Sequence, residues 1–221
     1  MAGRARVGTL VLIKPATMLA EDCAIELTQP ERFVGRGGHK LQAALDHFGL
    51  DVTGRHALDI GASTGGFTDC LLQAGAASVL AIDVGRAQLH QRLRNDPRVT
   101  LREGTNARDL PELPAELDLF VADVSFISLR KVLPSVAHRL APGTLGIVLL
   151  KPQFEAGPAD VPRGGVIRDT AIRARVFAEF VAWLAENGWT CQGSLESPVH
   201  GSDGNIETLV HLVTPGGPPP C

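Results

Sequence analysis

The chain has 221 residues, 44% of them hydrophobic, and a formal net charge of −3, which suits one well-buried α/β domain with an appendage and leaves too little for two full domains. Its first apolar run, Val7 to Ile13, is too short to span a bilayer and has no small-residue cleavage site after it, so neither a transmembrane helix nor a signal peptide is expected. Cys23, Cys70, Cys191 and Cys221 form no C-x-x-C pair and have no histidine at finger-like spacing, so no metal site and no disulfide framework are expected, and a reducing cytoplasm is the natural setting.

In chain order, residues 1–31 begin basic with Arg4, Arg6 and Lys14, then alternate through Cys23-Ala24-Ile25-Glu26-Leu27. This pattern predicts a short arm with two short strands. After Arg36-Gly37-Gly38-His39-Lys40, the positions Leu41, Ala44, Leu45 and Phe48 mark one face of a helix that Gly49 ends. From Arg55 the pattern alternates. Strands are predicted near 56–60, 78–83, 98–102, 117–124 and 144–150, with helices near 67–74, 86–94 and 128–140. Apolar strands alternating with helices mean a Rossmann-like parallel sheet wrapped on both faces. Pro111 and Pro114 leave room for only a single turn, over 107–110, between the third and fourth strands. Prolines and glycines from Lys151 to Gly165 predict a long loop. A helix over 170–187 follows, stopped by Gly188, then strands near 189–196 and 205–213 and a disordered tail over 215–221.

The stretch Asp59-Ile60-Gly61-Ala62-Ser63-Thr64-Gly65-Gly66-Phe67 reads as a strand end, a glycine turn and a helix start. A dinucleotide site needs G-x-G-x-x-G, but Ser63 stands at the second glycine, which argues against NAD. Asp59 before the first glycine and Asp83 at the end of the next apolar run suit S-adenosylmethionine. Asp59 would face its methionine end, and Asp83 would accept from the ribose hydroxyls. Alternatively the glycines make only a tight turn and Asp83 only caps a helix. Asn106, just after the third strand, is a candidate for contacting the adenine or else a turn residue. Gly61, Asp83, Asp123 and Lys151 all fall at the carboxyl ends of strands, where open sheets bind ligands. Arginines crowd two stretches, Arg86 to Arg102 and Arg163 to Arg175, which are candidate nucleic-acid faces or solvated helix faces.

Five blocks in order resemble the haemolysin-A-like (TlyA) branch of the FtsJ-type RNA ribose 2′-O-methyltransferases. They are Arg36-Gly37-Gly38-His39-Lys40-Leu41, Asp59 through Leu71, Asp123-Val124-Ser125-Phe126-Ile127-Ser128-Leu129, Lys151-Pro152-Gln153-Phe154-Glu155-Ala156-Gly157 and Gly204-Asn205-Ile206-Glu207. The resemblance covers residues 32 to about 213. It implies a seven-stranded sheet with an antiparallel last strand, S-adenosylmethionine as donor held around Asp59, Gly61, Ser63, Gly65, Gly66, Phe67, Asp83, Asn106 and Asp123, and ribosomal RNA or ribosomal subunits as partner. It also implies a tetrad of Lys40, Asp123, Lys151 and Glu207. Residues 1–31 resemble only the last strands, through Lys14-Pro15-Ala16-Thr17 to Leu27, of the small RNA-binding domain that such proteins usually carry.

Methyl transfer to a ribose hydroxyl is an in-line displacement by a poor nucleophile, so the site must align atoms and remove a proton. Lys151 is the expected base, provided that desolvation and the nearby Lys40 favour its neutral amine. Asp123 would orient Lys151 or the hydroxyl, and Glu207 would hold Lys40. Taken singly, each has a plainer reading: Lys151 as a solvated strand end, Asp123 as the cap of the helix starting near Ser128. Two other functions stay open at this point, a binder of S-adenosylmethionine and RNA with little catalysis, and a membrane-lytic protein. The second lacks both an 18-residue apolar span and a strongly amphipathic basic helix.

Overall fold

The computed structural model describes residues 5–7, 10–12, 18–20, 23–27, 31–201 and 203–216, and it divides into two compact units, 1–32 and 33–221. Arg4, Lys14 to Thr17 and the tail from 217 onward lie outside the described residues.

Among its described residues the smaller unit holds three short strands where two were expected, β1 (Ala5–Val7), β2 (Leu10–Leu12) and β3 (Glu26–Leu27), in the antiparallel order β2-β1-β3. The first apolar run is therefore two strands and not one. It folds back on itself with Val7 opposite Leu10.

The larger unit is a seven-stranded sheet of β4 (His56–Ile60), β5 (Ser78–Asp83), β6 (Val99–Glu103), β7 (Leu119–Ala122), β8 (Leu145–Leu150), β9 (Thr190–Glu196) and β10 (Thr208–Val213). The order is β6-β5-β4-β7-β8-β10-β9, with β10 antiparallel to both of its neighbours. The central strands are apolar on both faces because both faces are covered. Leu58, Ile60, Phe120 and Val148 pack one way, and Ala57, Leu119, Val121 and Ile147 pack the other. The second set lies under α1 (Gly37–Phe48), α2 (Gly66–Gln73) and α3 (Gln91–Arg94). The first set lies under α4 (Leu133–Arg139) and α6 (Thr170–Glu186), and α5 (Pro152–Glu155) follows β8 at the carboxyl edge.

Local chemistry sets the helix ends. Gly49 closes α1 in the left-handed region at φ 62°, where a side chain would be strained. The Asp169 carboxylate accepts from the Ala171 and Ile172 amides and so caps α6. That helix buries Val176, Phe180 and Leu184, worth roughly 1.5–3 kcal/mol each. Among the described residues, no helix is long and apolar enough to cross a membrane.

In the larger unit the expected elements differ most from the observed ones in four places. The helix expected over 86–94 is only Gln91–Arg94, because Ala87 takes φ 56° and donates its amide to Glu103, while Gly85 donates to Asp83. The helix expected over 128–140 is a 3-10 turn, Leu129–Lys131, followed by α4 with Pro134 in its first turn. The long loop after β8 contains α5 and a 3-10 turn, Pro158–Asp160, each begun by a proline. Pro215 and Gly216, expected in a disordered tail, form a turn beside Gly188 and Pro142.

The strand order reverses between β4 and β7. Beyond their carboxyl ends lies the crevice in which such sheets bind ligands.

Candidate active site

The glycine loop leaves β4 and is tied to the end of β5. The Gly61 and Ala62 amides both donate to the Ile82 carbonyl, and the Ser63 amide donates to Asp83 Oδ2 at 2.7 Å. Gly61 sits at φ 83°, and a Cβ there would come within 2.7 Å of the Asp123 carbonyl oxygen. Only glycine lets β4 and β7 leave the sheet this close together. A Cβ on Gly66 would lie 2.9 Å from the Gly38 amide nitrogen, so α1 and α2 meet through bare backbone.

Two cavities adjoin here. The larger, about 860 Å3, is lined by Gly61, Ser63, Asp83, Asn106 and Asp123, with apolar walls from Ile82, Val124 and Ile127. The smaller, about 250 Å3, is lined by the loop, Phe67 and five charged residues, Arg36, Lys40, Asp123, Lys151 and Glu207. Gly61, Ser63 and Asp123 belong to both.

Four of the five charges in the smaller cavity are paired. Lys40 Nζ donates to Glu207 Oε2 at 2.5 Å, both side chains being almost fully buried. Lys151 Nζ lies 2.6 Å from Asp123 Oδ1 and donates to Ser125 Oγ at 2.8 Å. Arg36 is exposed at the rim and has no carboxylate partner among the described residues. Asp123 caps no helix. Ser128 caps the 3-10 turn that follows, accepting from the Arg130 amide, and the buried Glu155 carboxylate adds hydrogen bonds from Ser128 Oγ and the Leu129 amide. Burial raises the Glu155 pKa above its ordinary value.

Asp59 is placed differently from the rest. It is fully buried on the α2 side of β4 and lines neither of these cavities. Its Oδ2 accepts from Thr68 Oγ1 at 2.6 Å, and its Oδ1 has no hydrogen-bond partner among the described residues. Burial, with Asp123 and Asp83 adding repulsion, pushes its pKa up to about 7 against the pull of the Thr68 hydroxyl. Gly65 also lines neither cavity. It starts α2 at φ 98° with its face against Leu89 and Leu93. Asp83 caps no helix, its carboxylate accepting the Ser63 and Gly85 amides. Asn106 is both a cavity wall and a turn residue, its Oδ1 accepting from the Arg108 amide at 3.1 Å.

Sequence reading missed Arg36 and Ser125, although both sit inside blocks that it singled out. In the Arg86–Arg102 cluster three arginines pair with carboxylates, Arg92 with Asp69, Arg94 with Glu103 and Arg98 with Asp96.

The glycine loop at the strand-order reversal is the architecture of a nucleotide-cofactor fold, and a family model for FtsJ-like methyltransferases matches residues 33–214. The chain belongs to the FtsJ-like methyltransferase family. Within it, the chain is 46% identical over 217 residues to the 16S/23S rRNA (cytidine-2′-O)-methyltransferase TlyA of Mycobacterium tuberculosis, covering 96% of this chain and 81% of that protein. It is 40% identical to Hemolysin A of Brachyspira hyodysenteriae, covering 96% of this chain and 90% of the other. A solved structure from Streptococcus thermophilus, described as a hemolysin, superposes with TM-score 0.80 at 41% identity, covering 89% of this chain and 72% of that one. These relatives put it in the TlyA branch.

This FtsJ-like enzyme is a methyltransferase that uses S-adenosylmethionine. The larger cavity fits that donor. Asp83 offers a carboxylate to ribose hydroxyls, Ile82, Val124 and Ile127 offer apolar surface to a purine, and the missing Cβ of Gly61 leaves room at the junction where a methyl group must pass.

Proposed function

We propose that the protein methylates the 2′-hydroxyl of a ribose in ribosomal RNA, at cytidine, in the cytoplasm. The observation that carries this reading is the junction of the two cavities at Asp123, with two lysine–carboxylate pairs on the acceptor side. The name of the M. tuberculosis relative supports ribosomal RNA and the cytidine 2′-oxygen as the target.

S-adenosylmethionine, when bound, supplies an electrophilic methyl carbon on a sulfonium. Lys151 removes the proton of the attacking hydroxyl in its neutral form, and the Asp123 carboxylate, 2.6 Å from its Nζ, holds it in place by charge. Lys40, held by Glu207, puts positive charge beside the oxygen as that oxygen becomes anionic. Asp83 receives the donor's ribose hydroxyls, Asn106 its adenine, and Gly61, Ser63, Gly66 and Phe67 its methionine end. Gly65 acts by starting α2, and Asp59 acts from beneath through Thr68. RNA is held by arginines without an internal carboxylate partner, Arg36 and Arg168 among them, and by the basic N-terminal arm over residues 1–31.

Mapping 2′-O-methylated riboses in ribosomes from cells with and without the protein tests this function. The expected result is a cytidine that loses its methyl group when the protein is removed. Identical maps would contradict the reading.

A further inference from the structure

Lys151 has two polar neighbours, and they are not equivalent. Asp123 Oδ1 lies 2.6 Å from Nζ and carries charge, whereas Ser125 Oγ accepts from Nζ at 2.8 Å and is neutral. An amine nitrogen is tetrahedral. One corner is Cε, and the hydrogen bond to Ser125 fixes one N–H direction and with it the rotation about Cε–Nζ. The Asp123 charge favours an N–H over a lone pair on its own side, so the remaining corner is the one left for the lone pair. The other charged groups of this cavity accept no hydrogen bond from Lys151. Lys40 and Arg36 are cations, and Glu207 is engaged by Lys40.

Neutrality is the second point. A carboxylate in place of Ser125 would complete the geometry equally well but would hold the proton on Lys151 and oppose its work as a base. A hydroxyl orients without adding charge. Ser125 is also well placed for this role, since it lines the larger cavity while Lys151 lines the smaller, so their hydrogen bond crosses the boundary between donor and acceptor. At the far end of the same loop, Glu155 accepts from Ser128 and Leu129 and so ties the Ser125 segment to the one that follows Lys151.

We propose that Ser125 is a positioning residue for methyl transfer, the uncharged acceptor that fixes the rotation of the Lys151 amine and, together with the Asp123 charge, aims its lone pair into the smaller cavity. The proposal rests on Lys151 being the base. The test measures single-turnover transfer from labelled S-adenosylmethionine to ribosomal RNA with the full chain carrying Ser125→Ala, Ser125→Thr or Lys151→Ala. Calorimetry of S-adenosylmethionine binding and KM for RNA are measured alongside.

Ser125→Ala is expected to slow transfer by about 10–100-fold, the cost of a misaimed reacting group. Donor affinity and KM should stay unchanged, and Ser125→Thr, which keeps the hydroxyl, should recover most of the rate. A wild-type rate in Ser125→Ala overturns the proposal, as does an equal loss in the alanine and threonine variants. A fall in donor affinity that accounts for the lost rate overturns it too, because Ser125 would then be a donor contact. If Lys151→Ala transfers at the wild-type rate, the base assignment fails and this inference with it. If Lys151→Ala is inactive while Ser125→Ala is unimpaired, the inference alone fails.

Discussion

Burial keeps the Asp59 carboxyl protonated up to about pH 7, far above the range of an exposed aspartate. Between about pH 4 and 7 the folded chain therefore holds a proton that the unfolded chain has lost, so stability falls as pH rises through that window and levels off above it. From pH 5 to pH 8 this one residue should lower stability by on the order of 2–3 kcal/mol. Asp59→Asn removes the titration, and urea unfolding at the two pH values should show a flatter profile than the wild type. Equal slopes would mean that Asp59 ionises freely in the fold. Gly61 makes a different demand on the same loop. Alanine at φ 83° would press its Cβ against the Asp123 carbonyl, so Gly61→Ala should weaken S-adenosylmethionine binding at least tenfold by calorimetry. Unchanged affinity would show that the loop can move aside.

At the scale of elements, α2 depends on Asp69, whose buried carboxylate accepts from the Val34 amide at 2.8 Å, Arg92 Nη2 at 2.6 Å and Gln73 Nε2 at 3.0 Å. Asp69→Ala strands a backbone donor at the entry to α1 and should destabilise the fold by about 2–4 kcal/mol, while Arg92→Ala, removing a half-exposed partner, should cost under about 1 kcal/mol. Chemical denaturation of the two variants decides this, and equal losses would contradict it. The strands and the long helices were legible because periodicity records burial, and β4, β5, β8 and α6 fall within a residue or so of their expected bounds. The shortened α3 was not legible. Its backbone is pinned by Asp83, Glu103 and Thr64, two of them on neighbouring strand ends, and no local pattern records such bonds. The site divides in the same way. Gly61 and Asp83 announce themselves through turn and strand-end chemistry, but Lys40 and Glu207 meet across 167 residues, and only the family resemblance linked them. Ser125 carries no signature of its own, because a serine two places after an aspartate is common in turns.

For the whole molecule, a formal charge of −3 and three arginines of one cluster paired with carboxylates leave RNA binding to a smaller set of unpaired cations than the sequence suggests. Affinity for ribosomal RNA should fall steeply with salt, and Arg168→Ala should lower the slope of log affinity against log salt by about one. Arg92→Ala should leave it unchanged, because that guanidinium serves Asp69. A slope that responds to Arg92 and not to Arg168 would reverse the assignment of the RNA-facing surface. The fold, the two joined cavities and the paired lysines lead to one reaction, and its most direct measurement is single-turnover transfer of a labelled methyl group from S-adenosylmethionine to ribosomal RNA. The wild type should place the label on a ribose 2′-oxygen. Lys151→Ala should bind the donor normally and transfer roughly 10²–10⁴-fold more slowly, and Lys151→Arg, charged but unable to shed its proton, should not recover the rate. Label on a base, or a Lys151→Ala enzyme as fast as the wild type, would contradict the account.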